Sequence, residues 1–209
     1  MKFYDCKTAP SPRRVRIFAA EKGLQLDTIE IDLGKGEQFA AEFREINPDC
    51  TVPVLELGDG TRITEVLAIC QYLEELQPEP ALIGQTAEQR ASAMMWALKV
   101  EQHGLMAMRD AFRNSAKGLK GHAMTGPVQY EQIPELAERG RTAAVLFLER
   151  LDQRLADTEF IAGDYYSIAD ITALVLVDFA AWSKIRIPEG AGNLQRWYDA
   201  VSSRPSATS

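Results

Sequence analysis

The stretch NPDCTVPVLELGDGTRITEVLAICQYL, residues 47–73, decides the fold of the first third of the chain. Within it, residues 53–57 favour a strand, and Gly-Asp-Gly at 58–60 is typical of a tight turn into a second strand at 61–64. Apolar residues at positions 66, 69, 70 and 73 then recur at the spacing of one helix face. The stretch therefore predicts a strand–turn–strand–helix unit.

The segments before this stretch alternate between strand and helix patterns. Residues 2–5 predict a short strand, and residues 26–32 alternate polar and apolar positions as a second strand does. Between them, Ser11 predicts a helix N-cap that is followed by Pro12 at the first helical position. Residues 38–45 predict another helix. The order β-α-β-α-β-β-α indicates a small mixed sheet covered by helices.

The pattern changes after the proline-rich segment QPEP at 77–80. Every long segment beyond it favours a helix, and Ser167 with Asp170 has the spacing of a capping box that begins one of them. Asp170 is therefore predicted to be a folding residue rather than a catalytic one. The predicted fold is an α/β domain at 1–78 followed by an all-α domain at 86–209.

The composition excludes several classes of protein. The chain has 209 residues, with 23 Lys+Arg and 30 Asp+Glu, which gives a formal net charge of -7. Proteins that bind nucleic acid normally present a basic face, so no nucleic acid and no anionic membrane is expected as a partner. The apolar run at 171–177 is far shorter than the ~20 residues of a membrane helix. The N-terminus lacks the apolar stretch of a secretory signal, and we expect a cytoplasmic protein.

The cysteines and histidines do not indicate a metal centre. Cys6, Cys50 and Cys70 have no CxxC spacing, and such an odd, sparse set fits a reducing compartment. His103 and His122 are far apart and have no cysteine nearby. No bound metal is expected.

Three features around residue 52 point to a small zwitterionic peptide as ligand. A cis Val52–Pro53 bond, which we expect, would leave the Val52 backbone free to pair with an extended peptide. Glu65 offers a carboxylate for an ammonium group, and the helix N-terminus at Val66 offers N–H groups for a carboxylate. Taken singly, each is also compatible with a loop proline and a surface glutamate.

In combination, these motifs resemble the cytosolic glutathione transferases, and the similarity spans nearly the whole chain. It rests on VPVL at 52–55 and its Asp-Gly hairpin, on the E-x-x-A-I-x-x-Y-L helix at 65–73 and on RRVRIFAAEKG at 13–23. APSP at 9–12 and KGE at 35–37 are similar to a fungal and bacterial subgroup. The resemblance implies a thioredoxin-like first domain, a helical second domain and a homodimer.

The resemblance also implies an activity and a binding site. The activity is conjugation of the glutathione thiolate to a small electrophile, with glutathione as co-substrate and no metal. Glutathione-dependent disulfide or peroxide reduction, and glutathione binding without catalysis, stay open as alternatives. The implied glutathione-binding residues are Lys35, Gln38, Thr51, Val52, Pro53, Glu65 and Val66.

The sequence departs from the family where the thiol would be activated. Ala9 stands where several classes have a hydroxyl or thiol donor, and Val66 stands where the family usually has serine. The side chain of Ser11 lies close to the missing donor and is a candidate catalytic residue, although a plain N-cap role is equally open. Tyr4, Cys6 and Thr8 are further neighbours of that position, and Cys6 also fits a packed position.

A second set of candidates lies in the helical domain. Arg109 and Arg113 match positions that hold a thiol-activating water in the resembled subgroup, and their spacing places them one turn apart on one helix face. Two guanidinium groups would favour a thiolate but cannot act as a base. Solvated or interface charges are the alternative interpretation. Four apolar side chains fit either the acceptor pocket or the core: Met106, Met108, Phe112 and Trp182.

Overall fold

Four short strands and eight α-helices make up the chain, and the computed structural model describes residues 1–209. The sheet-containing half consists of β1 (Lys2–Asp5), α1 (Pro10–Glu21), β2 (Asp27–Glu30), α2 (Ala41–Ile46), β3 (Val54–Glu56), β4 (Arg62–Thr64) and α3 (Val66–Leu76). The helical half consists of α4 (Ala87–Lys99), α5 (Met106–Arg113), α6 (Pro134–Arg154), α7 (Ile168–Trp182) and α8 (Gly192–Ser202). The predicted fold class is confirmed.

The register of the sheet brings several loops to one edge. The strand order is β2-β1-β3-β4; β1 runs parallel to β2 and antiparallel to β3, and β3 runs antiparallel to β4. Val54 is paired with Tyr4 on one side and with Thr64 on the other. The C-terminal ends of β1, β2 and β4 and the N-terminal end of β3 therefore lie at the same edge of the sheet.

The start of α1 differs from the prediction. The helix begins at Pro10 with Ala9 as N-cap, and Ser11 lies inside the first turn rather than capping it. Pro10 has a fixed, helix-compatible φ and no N–H to satisfy, so it takes the first position. Ala9 is extended, with φ -83° and ψ 136°, as the residue before a proline prefers. The Ser11 hydroxyl is thereby released from capping.

The predicted helix at 38–45 is divided in two. A single 3₁₀ turn covers Glu37–Phe39, and α2 begins only after Ala40, whose backbone is extended. Likewise β2 is shorter than the alternating pattern at 26–32, because only Asp27–Glu30 pairs with β1. The break at Ala40 separates Gln38 and Phe39 from the helix and leaves them at the sheet edge.

Helix α7 forms the centre of the helical half. Its predicted capping box is confirmed, because Ser167 accepts from a backbone N–H of the first turn while the Asp170 carboxylate accepts from the Ser167 N–H at 3.0 Å. Asp170 is fully buried and also accepts from Trp197 Nε1 at 2.9 Å and from the Ile161 N–H at 2.9 Å. Burial raises the pKa of Asp170 to about 6, while these donors act in the opposite direction. One carboxylate thus joins three segments of the chain.

Helix α1 is fixed to the helical half by arginine–carboxylate pairs. Residues of α1, α3 and α7 also share one buried apolar cluster. The pairs are Arg13 Nη1 with Asp178 Oδ2 at 2.6 Å, Arg14 Nη1 with Glu101 Oε2 at 3.1 Å, and Arg204 Nη2 with Glu21 Oε2 at 2.7 Å. The N-terminus of α1 therefore has a defined position against the helical half.

A π-helical segment, Val100–Leu105, joins α4 to α5 and was not predicted. The Met106 N–H bonds to the Glu101 carbonyl, five residues back. Gly104 packs so closely against α7 that a Cβ built on it would lie 2.3 Å from Leu176 Cδ2.

None of the helices has both the length and the apolar character needed to cross a membrane.

Candidate functional site

The site begins at the segment that enters β3. The Val52–Pro53 peptide bond is cis, as predicted. Neither the N–H nor the carbonyl of Val52 bonds to another backbone group. Asn47 holds the preceding turn, because its Nδ2 donates to the Thr51 carbonyl at 2.9 Å and to Thr51 Oγ1 at 3.0 Å. A short stretch of unpaired backbone is thus presented in a fixed orientation.

Glu65 stands opposite this segment, directly after β4. Its φ of 64° is unusual for a residue with a side chain, and such strained backbone is concentrated at functional sites. The Glu65 side chain is exposed, and no cation lies within ion-pair distance of its carboxylate. The Val66 N–H in the first turn of α3 has no backbone acceptor. A free carboxylate and a free helix N-terminus therefore lie side by side.

The two predicted residues after β2 behave differently. Lys35 is exposed, and its Nζ pairs with Asp32 Oδ2 at 3.1 Å, a contact that raises the pKa of Lys35. Gln38 instead has a buried carboxamide oxygen with no hydrogen-bond partner. Buried polar atoms without a partner are rare and call for an explanation such as a ligand. Gln38 is thus the better placed of the two to meet one.

Ser11 is linked to the helical half through Arg14. The Arg14 Nη2 donates to Ser11 Oγ at 3.3 Å, and the same guanidinium pairs with Glu101 in the π-helical segment. Because the Ser11 oxygen acts as acceptor here, its own O–H remains able to donate. Cys6 is buried with its Sγ 3.5 Å from Thr8 Oγ1, and the Tyr4 O–H donates to Glu56 at 3.4 Å.

Arg109 and Arg113 lie one turn apart on α5 and make different contacts. Arg109 pairs with its neighbour Asp110 at 2.9 Å. Arg113 has no ion-pair partner; its Nη2 donates to the carbonyls of His122 at 2.7 Å and Met124 at 2.9 Å. Burial, and to a smaller extent the charge of Arg109, lowers the pKa of Arg113. Arg113 therefore holds the loop after α5, whatever its effect on a thiolate.

Comparison with known proteins identifies the family. Residues 8–76 match the family model described as glutathione S-transferase, N-terminal domain, and residues 101–205 match that of the C-terminal domain. The chain belongs to the glutathione S-transferase family. Glutathione S-transferase 2 of Saccharomyces cerevisiae is 36% identical over 99% of this transferase and 87% of the yeast protein.

A solved structure and a further relative are consistent with that assignment. A glutathione S-transferase domain-containing protein of Marinobacter aquaeolei superposes on this transferase with a TM-score of 0.90, at 37% identity and over 99% of both chains. These fungal and bacterial relatives bear out the predicted subgroup. The disulfide-bond oxidoreductase YfcG of Escherichia coli is 27% identical over 97% of this transferase and 91% of its own length.

Aromatic side chains cluster where α5 meets the end of α7. The rings of Phe112, Phe179 and Trp182 meet edge to face with centroids 5.2 to 5.7 Å apart, and Trp182 is half exposed. Met106 is also exposed, whereas Met108 is fully buried. Met108 is therefore a core residue of this transferase and is removed from the candidate acceptor pocket.

Sequence reasoning missed two residues at the edge of the site. The His122 ring, in the loop after α5, stacks on Phe39 of the first domain with centroids 5.6 Å apart and an interplanar angle of 25°. These residues are too far apart in the sequence for any local pattern to pair them. The position of His122 in a glycine-rich loop gave no signal of this contact.

Two clefts of this transferase lie away from these residues. One, of about 410 Å³, is lined only by polar and charged residues, among them Asp5, Arg16 and Glu30. The other, of about 240 Å³, is mostly apolar and lies between α6, α7 and α8. Neither contains a predicted glutathione-binding residue.

Proposed function

We propose that this glutathione S-transferase conjugates the thiolate of glutathione to a small electrophile. The observation that carries the proposal is the set of unpaired groups at one edge of the sheet: the Val52 backbone, the Glu65 carboxylate, the Val66 N–H and the Gln38 carboxamide. Their types and order match the donors and acceptors along a γ-glutamyl-cysteinyl-glycine peptide.

Each group has a role in binding the tripeptide. Glu65 pairs with the γ-glutamyl ammonium, and the N–H of Val66 donates to the neighbouring carboxylate. The Val52 backbone pairs with the cysteinyl backbone, with Thr51 and Pro53 setting its orientation. Gln38, with Lys35 nearby, meets the glycyl end. Because valine lacks the hydroxyl of the usual serine, the Val66 contact is made through the backbone alone.

The chemistry requires a thiolate at neutral pH. In the proposed step the thiol loses its proton to solvent, the sulfur forms a bond to an electrophilic carbon, and the leaving group departs with its electron pair. The N-terminus of α1 and the Ser11 O–H stabilise the sulfur anion, and Arg109 and Arg113 add positive potential. The aromatic cluster at Phe112 provides the apolar surface for the acceptor.

Loss of the Ser11 hydroxyl tests this activation. Ser11→Ala is expected to raise the pKa of the bound thiol by about one to two units, because a hydrogen bond to an anion contributes about 1.5–3 kcal/mol and one unit is 1.36 kcal/mol. The rate at neutral pH should therefore fall about ten- to a hundredfold. The measurement is the pH–rate profile with 1-chloro-2,4-dinitrobenzene. Ala9→Ser, which restores a donor, should raise the rate. A mutant profile identical to that of the wild type would assign Ser11 no part in activation.

Disulfide reduction is the second candidate function. The name of the Escherichia coli relative favours it, and the same bound thiolate could attack a disulfide sulfur. Turnover of bis(2-hydroxyethyl) disulfide without conjugation of 1-chloro-2,4-dinitrobenzene would replace the first proposal with this one. Glutathione binding by calorimetry without either turnover would indicate a binding protein, the alternative that Ala9 and Val66 leave open.

We also propose that the transferase is a cytoplasmic homodimer that acts in detoxification, with domains at 1–78 and 86–209. The exposed apolar side chains of Leu76 on α3 and of Met95 and Leu98 on α4 support the dimer.

Charges on this apolar surface should break the dimer. The double variant Met95→Glu, Leu98→Glu is expected to be monomeric by light scattering, because two carboxylates would be buried without partners. Leu146→Glu, which alters an exposed apolar side chain on α6, is the matched control and should remain dimeric. A monomeric wild type, or a dimeric double variant, would contradict the assignment.

A further inference from the structure

We propose that the strap, defined as residues 114–133 after α5, clamps the glycyl end of glutathione through His122 and makes the transferase selective for the tripeptide over γ-glutamylcysteine. The inference rests on the proposed glutathione binding. It assigns His122 and Phe39 as specificity-determining residues that act by positioning Gln38.

The strap is held in shape by hydrogen bonds at its base. Backbone pairing between residues 121–123 and Tyr130 closes it on itself, with the Tyr130 N–H donating to the Gly121 carbonyl at 2.9 Å. Arg113 of α5 donates through Nη2 to the carbonyls of His122 and Met124 and accepts at its own carbonyl from Gln132 Nε2 at 2.7 Å. The two ends of the strap are joined by Gln132 Nε2 to the Ala116 carbonyl at 2.8 Å and by the Ile133 N–H to Asn114 Oδ1 at 2.9 Å. Its position is therefore determined by the helical domain.

The far part of the strap rests on the first domain at two points. The His122 ring stacks on Phe39. Gly126 lies against the backbone of Asp49, since a Cβ built on Gly126 would be 3.5 Å from the Asp49 carbonyl oxygen. Phe39 directly follows Gln38, and Asp49 lies just before Thr51 and Val52. The strap thus spans the proposed glutathione edge at its glycyl side.

The state of Gln38 indicates what the strap covers. Its carboxamide oxygen is buried and has no donor, next to the residue on which His122 stacks. A glycyl unit supplies an N–H for that oxygen and a carboxylate for the adjoining amide nitrogen. Stacking on Phe39 restricts the 3₁₀ turn at 37–39 and so holds Gln38 ready for this unit. γ-Glutamylcysteine has no glycyl unit, so its affinity does not depend on how Gln38 is held.

The test compares two thiols on matched variants. Affinities of glutathione and γ-glutamylcysteine are measured by titration calorimetry for the wild type, His122→Ala and His122→Phe. His122→Ala should weaken glutathione about three- to tenfold, the usual range for loss of an aromatic pair, and leave γ-glutamylcysteine within about twofold. His122→Phe, which keeps a ring over Phe39, should retain most of the glutathione affinity.

Tyr130→Ala is the control. It removes from the same strap an exposed ring that stacks on no other ring. It should leave both affinities unchanged. Equal losses of affinity for the two thiols in His122→Ala, or no loss of affinity for glutathione, would overturn this inference but leave the proposed function standing. If His122→Ala fails to fold, Phe39→Leu takes its place with the same expected outcomes. A wild type that does not bind glutathione would overturn the proposed function as well.

Discussion

Asp170→Ala is expected to reduce the free energy of unfolding by about 4 kcal/mol or more. The N–H groups of Ile161, Ser167 and Trp197 would each lose their acceptor in a fully buried environment, at about 1–3 kcal/mol per group. The segments before α7, α7 itself and α8 would lose their common anchor. Urea unfolding followed by circular dichroism measures the change.

Asp152→Ala provides the matched control for this prediction. Asp152 also accepts a backbone N–H, that of Leu194 at 2.9 Å, but it is only partly buried and serves one segment. Its loss should lower the free energy of unfolding by about 1 kcal/mol, as for an ordinary helix cap. If Asp170→Ala destabilises the protein no more than Asp152→Ala, the buried carboxylate does not anchor these three segments.

Glu65→Lys is expected to weaken glutathione binding about a hundredfold or more. The change removes a charge-assisted contact of about 1.5–3 kcal/mol and places a cation where the γ-glutamyl ammonium binds. Titration calorimetry measures the affinity, and circular dichroism checks that the fold is intact. The effect should fall with added salt, since the repulsive part is screened.

Glu45→Lys makes the same change of charge at an exposed position on α2 and should leave the affinity near that of the wild type. Comparison of the two variants separates a local contact from a general effect of reduced negative charge. Wild-type affinity in Glu65→Lys would remove Glu65 from the site and leave Val52 without its charged neighbour. Glu65→Gln should be intermediate, because it removes the charge without adding repulsion.

Much of the fold follows from local patterns in the chain. The strand–turn–strand–helix unit depends on neighbouring residues, as does the capping box of Ser167 and Asp170, and both are present. The start of α1 was misplaced because Pro10 and Pro12 both suit a first helical turn, and the local sequence does not choose between them.

The parts of the site that were not predicted depend on contacts between distant segments. The residue types at Glu65 and Gln38 suggested a role, but the sequence could not show that one is strained and the other buried without a partner. The contact of His122 with Phe39 forms only when the two domains pack. Periodicity describes a face of one helix and carries no information about such pairs.

The π-helical segment has a consequence for how the strap is aimed. The i to i−5 bond at Met106 accommodates one more residue than a regular α-helix would, and one residue corresponds to a rotation of about 100° about the helix axis. Every side chain of α5, Arg113 included, owes its direction to that added residue. Deleting one position from 100–105 would turn α5, and the strap bonded to it, relative to the first domain without altering a single strap residue. The number of residues in the π-helical segment thus sets how the second domain is placed over the first, independently of the side chains that make the contact.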